Sequence, residues 1–222
     1  MRLPAAVCLL VAITLPRPAA AEEDRVHDGV HVRAALGAGY GADSATREVG
    51  GTETKGRVGG AAVSGELSAG YAVVAGGILG AGFYFNHVPS PKARDIVWHA
   101  GQFTIDIDEI EFDEGGYWML GPMFDYYPVS RGGFHVSLAL GWGVFGLGDG
   151  ELSDGLRVNT DQKGGGISGA LGVGYDFWVA DVLSVGVLGR FMLARGNSED
   201  DANADWTHTV YSPDLMLSVS FD

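Results

Sequence analysis

FHVSLALGWGV, residues 134–144, decides the fold. Phe134, Val136, Leu138, Leu140, Trp142 and Val144 fall on every second position, with His135, Ser137, Ala139, Gly141 and Gly143 between them. Side chains of an extended chain point alternately to two faces, so a period of two means a strand. The second face is the informative one. A soluble sheet or lipocalin-like barrel coats its outer face with Lys, Glu and Gln, whereas this face is small and weakly polar. Such residues suit the crowded interior of a narrow barrel, and the Phe, Val and Leu set suits hydrocarbon.

Seven further segments repeat the pattern. Residues 29–41 set Val30, Val32, Leu36 and Tyr40 against His31, Arg33, Gly37 and Gly39, and residues 60–73 set Val63, Leu67, Tyr71 and Val73 against Ser64, Glu66 and Ser68. A third runs to about Asn86 with Leu79, Phe83 and Phe85 on its apolar face, and residues 117–127 offer Trp118, Leu120, Phe124 and Tyr126 opposite Gly121 and Asp125. Beyond the opening stretch, Ile167, Leu171, Val173, Tyr175 and Phe177 face away from Ser168, Gly172 and Asp176. Leu183, Val187, Phe191 and Leu193 face away from Ser184 and Arg190, and Tyr211, Leu215, Leu217, Val219 and Phe221 away from His208, Ser212 and Asp214. Short links at residues 74–76, 128–133 and 179–181 alternate with long polar ones at 42–58, 87–116, 148–166 and 195–206. The implied fold is all-β: an eight-stranded antiparallel up-and-down transmembrane β-barrel with short periplasmic turns and long extracellular loops. Tyr71, Tyr126, Tyr175 and Phe221 would form one interfacial girdle, and Tyr40, Phe85, Trp118 and Tyr211 the other. Pro122 and Pro213 each remove a ladder hydrogen bond from a sheet with no edge, so bulges or strand ends are expected there.

The N-terminus has the form of an export signal over residues 1–21. Met1-Arg2 carries a positive charge, residues 5–15 are apolar, and Ala19-Ala20-Ala21 before Glu22 is an A-x-A cleavage site. The barrel domain is then residues 22–222. The apolar run is shorter than the roughly 18–20 residues a spanning helix needs. Cys8 is the only cysteine and lies within the signal, so the exported chain has no thiol for disulfides, catalysis or metal. The sequence holds 14 basic and 28 acidic residues, and removing Arg2 and Arg17 leaves 12 basic, a net charge of about −16. That balance argues against nucleic acid and favours cations or cationic surfaces. With 36 glycines and 46% apolar residues the chain fits neither disorder, which lacks apolar content, nor collagen, which needs a glycine period.

The strands Leu36-Gly37-Ala38-Gly39-Tyr40 and Leu171-Gly172-Val173-Gly174-Tyr175, the stretch Gly121-Pro122-Met123-Phe124-Asp125-Tyr126-Tyr127 and the closing alternation to Phe221 carry a family likeness. In them the chain resembles the small outer-membrane barrel family typified by the OmpA transmembrane domain and OmpX, over nearly all of residues 22–222. That resemblance implies a membrane barrel; no segment is expected to remain for a periplasmic peptidoglycan-binding domain, so that function of OmpA is not implied. The family ends on a C-terminal aromatic, whereas here Asp222 follows Phe221.

Candidate site residues lie on the lumen face: Arg33, Glu66, Asp125, Asp176, Arg190 and Asp214. Buried charges are costly unless paired. An internal salt-bridge network is therefore expected, with Arg190 and Asp214 pairing across adjacent strands; a charge-lined ion path is the alternative. His208, Ser212 and Asp214 share one strand face, but steps of two stand about 6.5–7 Å apart, too far for direct hydrogen bonds. No catalytic residue is assigned. His31, His87 and His99 have no ligand spacing, and no metal or cofactor is expected. The acidic stretches at residues 106–114 and 199–201 read as solvated loop surface, with weak divalent-cation binding as the alternative, since they lack the glycine and closing glutamate of an EF-hand. Phe103, Ile105 and Ile107 alternate with Thr104, Asp106 and Asp108, so the second long loop should continue as a hairpin above the membrane and offer an edge to another strand. The expectation is a monomeric, non-enzymatic outer-membrane protein of a Gram-negative bacterium with a structural or surface-interaction role through acidic extracellular loops. Its partners would be membrane lipid and a ligand at the loops. A narrow channel for ions or small solutes and a lipid A-modifying enzyme are the alternatives.

Overall fold

The computed structural model describes residues 27, 29–49, 52–100, 103–152, 157–158, 162–199 and 205–222. The export signal expected over residues 1–21 lies outside them. Twelve strands follow in chain order: β1 (Val30–Val49), β2 (Thr52–Val74), β3 (Gly77–Val88), β4 (Lys92–Ala100), β5 (Phe103–Phe112), β6 (Gly115–Tyr126), β7 (Phe134–Leu147), β8 (Gly150–Leu152), β9 (Arg157–Val158), β10 (Gln162–Ala180), β11 (Leu183–Glu199) and β12 (Asp205–Phe221). Eight of them pair in the order β1-β12-β11-β10-β7-β6-β3-β2, and β2 pairs back onto β1, closing a ring. Every pairing in the ring is antiparallel. Closure leaves no sheet edge, so the ladders satisfy their main-chain groups without water.

The alternation is realised inside out. Ile167 is 74% and Leu217 71% exposed on the outer wall, while Arg33 is 1% and Asp125 0% exposed within. An outer surface built from Leu36, Leu67, Leu138, Leu171 and their neighbours is stable against hydrocarbon, and the polar interior is stable only inside a closed wall. The chain is a transmembrane β-barrel. Exposed Tyr71, Tyr126, Tyr175 and Phe221 ring the belt at its turn end, and exposed Tyr40, Trp118 and Trp142 at its loop end. At the turn end β2 and β3 are joined by Ala75-Gly76, where Gly76 has φ 71°, the left-handed region that glycine enters without penalty.

The expected loops at residues 42–58 and 195–206 are instead largely strand. Crossing the membrane takes about 9–11 residues, yet β1 has 20, β2 23 and β11 and β12 17 each. The β1–β2 ladder continues to Val49↔Thr52 and the β1–β12 ladder to Arg47↔Trp206, forming a collar above the belt. The physical reason is that apolar alternation reports contact with lipid. Above the belt pairing continues while the need for an apolar outer face ends.

The second long loop forms the hairpin β4–β5. Above Val63, where its pairing with β3 stops, β2 takes β4 as neighbour from Gly59↔Lys92 to Thr54↔Trp98, and β5, β8 and β9 extend the same sheet. Buried Ala93, Ile110 and Phe112, backed by Val58 and Leu147, anchor the hairpin base to the collar. The side chains of residues 103–109, including acidic Asp106, Asp108 and Glu109, lie outside the described set.

Neither proline lies at a bulge or a strand end, contrary to expectation. Pro122 pairs with Ala81 and Pro213 with Phe191. On the opposite sides each ladder lacks two pairs without changing register, between Leu120↔Trp142 and Met123↔Ala139 and between Gly39↔Asp214 and Ala42↔Tyr211. Each ring therefore costs a local ladder gap rather than a kink.

Candidate functional site

The six lumen charges come from six different strands and meet because each occupies an inward position of its strand. Arg33 on β1 donates from Nε to Glu66 Oε1 at 2.9 Å and lies with Nη2 2.8 Å from the same oxygen. Its Nη1 is 2.7 Å from Asp125 Oδ2 on β6. Arg190 and Asp214 are register partners on β11 and β12, and the guanidinium grips Asp214 Oδ2 from Nε at 3.2 Å and Nη2 at 2.9 Å. Arg190 Nη1 also donates to the main-chain oxygen of Gly65 at 3.0 Å and stands 3.7 Å from Glu66 Oε2, so the Glu66 carboxylate bridges both guanidiniums. Asp176 on β10 stands apart from the arginines. It accepts from Tyr127 Oη at 2.9 Å and joins the others through His135, whose Nδ1 is 3.4 Å from Asp176 and whose Nε2 is 3.5 Å from Arg33.

Neutral groups complete the shell. Asp214 Oδ1 accepts from Ser64 at 2.6 Å and Ser212 at 2.7 Å, and Asn86 donates to Ser212 Oγ at 2.7 Å. Close packing depends on glycine at Gly39, where a Cβ would collide with the Asp214 carboxylate. Buried Met119, Met192, Leu188 and Met216 fill the bore around the charges. The Ser212–Asp214 bond corrects the spacing expectation. Cα atoms two residues apart are indeed far from each other, but Ser and Asp side chains can lean along the strand and close the gap.

Above this plug, just past the loop-end girdle, the lumen opens into a cavity of about 90 Å³ walled by Val58, Val88, Tyr117, Phe145, Leu147 and Val210. Asp43, Ser198 and His208 border it. His208 Nδ1 is 2.6 Å from Asp43 Oδ2, and its Nε2 is 2.8 Å from Ser198 Oγ. Phe145 packs on the imidazole with ring centres 4.6 Å apart. The register explains the meeting. His208 lies across from Ala45 on β1 and Gly196 on β11, so Asp43 and Ser198 are its diagonal neighbours on either side, all facing inward. His208 is thus not grouped with Ser212 and Asp214, which belong to the arginine network. Ending β1 near Gly41 and β11 near Ala194 hid Asp43 and Ser198; carrying the same alternation into the collar places both on the lumen face.

No family model matches the chain, and no curated protein matches it. Among solved structures it is similar to the outer membrane protein OprG from Pseudomonas aeruginosa, at 13% identity over 89% of this chain and 98% of that one, with a TM-score of 0.48. It is likewise similar to Neisserial surface protein A, at 13% identity over 87% and 97% of the two chains and a TM-score of 0.48. The outer membrane protease OmpT from Escherichia coli matches at 13% identity over 87% and 96%, with a TM-score of 0.43. These are proteins of differing named roles, and no activity passes from them to this chain.

Proposed function

We propose that the protein is a monomeric, closed-lumen outer-membrane barrel whose charge network is an internal support and whose collar and hairpin sheet form its working surface. The short turns face the periplasm and the collar faces outward, as in bacterial barrels generally. One observation carries this: Arg33, Asp125, Met119, Leu188, Met192 and Met216 span the bore and are each at most 1% exposed. An ion path needs wetted groups that bind an ion and release it. Here the charged groups are held by one another and by buried methionines. A support role needs no chemistry within the charge network and leaves selectivity for partners to the exterior, where the acidic stretch at residues 106–114 favours cationic surfaces.

Replacing Arg190 with Ala tests the support role. It strands Asp214 and half of the Glu66 bridge, and removing one partner of a buried pair costs about 3–5 kcal/mol. The urea midpoint of the folded barrel, followed by its heat-dependent gel shift, should fall accordingly. An unchanged midpoint would show that the network supports nothing.

A further inference from the structure

We propose that Ser198, His208 and Asp43 form a nucleophile–base–acid relay and that the protein hydrolyses short-chain carboxylic esters in the upper lumen cavity. The order of contacts is what distinguishes this cluster from the polar filler below it. A carboxylate only accepts, so His208 Nδ1 carries the proton given to Asp43, and Nε2 is left to accept the Ser198 hydroxyl proton 2.8 Å away. The other lumen histidines are placed differently: His31 lies between Asp222 and Asp125, and His135 between Asp176 and Arg33, with no hydroxyl on the second nitrogen. Asp43 Oδ1 is buried without a hydrogen-bond partner among the described residues. Asp125 Oδ1 in the arginine network is in the same state, so it is the order of contacts that sets the relay apart.

Access and substrate class follow from the cavity. Ser198 and His208 are each only 4% exposed, yet both border the space of about 90 Å³. Its apolar walls accept an acyl chain of a few carbons, and its position beyond Tyr211 on β12 puts it above the lipid belt. In the reaction Ser198 Oγ bonds to the ester carbonyl carbon while its proton passes to His208 Nε2. The carbon–alkoxy bond then breaks, and the departing alkoxide takes that proton and leaves as the alcohol. Water attacks the acyl-serine, giving a proton to Nε2; the acid is released, and the proton returns to Ser198. Asp43 stays ionised throughout and steadies the imidazolium.

The test is to incubate the purified, folded barrel with p-nitrophenyl butyrate and, separately, with a fluorophosphonate, and to map adducts by peptide mass. Butyrate release and a single adduct on Ser198 are expected, both lost in Ser198→Ala and both about 10⁴-fold slower in Asp43→Asn. Ser44→Ala, one residue away on the opposite face, should behave as the unmodified protein. The heat-dependent gel shift identifies which variants have folded, and Asp43→Asn and His208→Gln keep the question open to disproof if Ser198→Ala does not fold. A folded wild type that neither turns over ester nor labels at Ser198 would overturn the proposal. So would Ser198 labelling that is unaffected by Asp43→Asn and His208→Gln, because the serine would then be unactivated.

Discussion

Asp222 shows how much one carboxylate can do at the turn end of the barrel. It follows Phe221, where the resembled family ends on its aromatic, and its Oδ1 lies 2.7 Å from His31 Nδ1 and 3.1 Å from His27 Nδ1. Asp222, just past the end of β12, is thereby tied to the neighbouring strand β1. Burial pushes this carboxyl up, but the hydrogen bonds of His27 and His31 and their positive charge outweigh it and hold the group down at about 2. A depressed carboxylate stabilises the folded state fully above its ordinary value of 3.8 and loses that contribution as pH falls through about 2. In Asp222→Asn this contribution is missing. The difference in urea midpoint between wild type and variant should therefore be full at about pH 5 and close as pH drops toward about 2. A difference that is the same at both ends would mean that the clasp is not ionic. At this scale the sequence was partly readable: the six lumen charges follow from face alternation, and so do the inward positions of His31 and His135. Which carboxylate meets which cation depends on register and strand tilt, as Asp176 illustrates by reaching Arg33 only through His135.

Strands within the membrane were legible because lipid demands an apolar residue at every second outward position. Beyond the belt that demand stops, and the continuation of β1 and β2 through residues 42–58 left no apolar alternation to read. The hairpin β4–β5 was legible from Phe103, Ile105 and Ile107, whereas its docking on β2 was not, since that depends on β3 ending at Val88 and freeing the upper part of β2. The hairpin is held at its base by Ala93, Ile110 and Phe112. Truncating Phe112 to Ala removes a buried ring, a change that in a core costs about 3–5 kcal/mol. Because the cluster is local, amide exchange in β4 and β5 should speed by at least about tenfold while exchange in β10–β12 stays unchanged. Equal acceleration in both regions would mean that collar and barrel unfold as one unit.

On the scale of the whole molecule, an apolar outer wall, a satisfied polar interior and a paired collar divide the labour. The wall fits the ring to lipid; in the proposed function the interior holds the ring against collapse and the collar is the working surface. An eight-stranded ring is just wide enough for side chains to fill it, and here two arginines, four carboxylates and four large apolar residues do so. The exterior surface stays free to differ between barrels that share this core, which is why the fold leaves the activity open. Single-channel recording of the folded barrel in a planar bilayer tests the closed lumen most directly. The membrane should stay silent at moderate voltage while the same preparation shows the heat-dependent gel shift of a folded barrel. Steady, ion-selective openings that change in Arg190→Ala would contradict the account and make the lumen charges a conduction path.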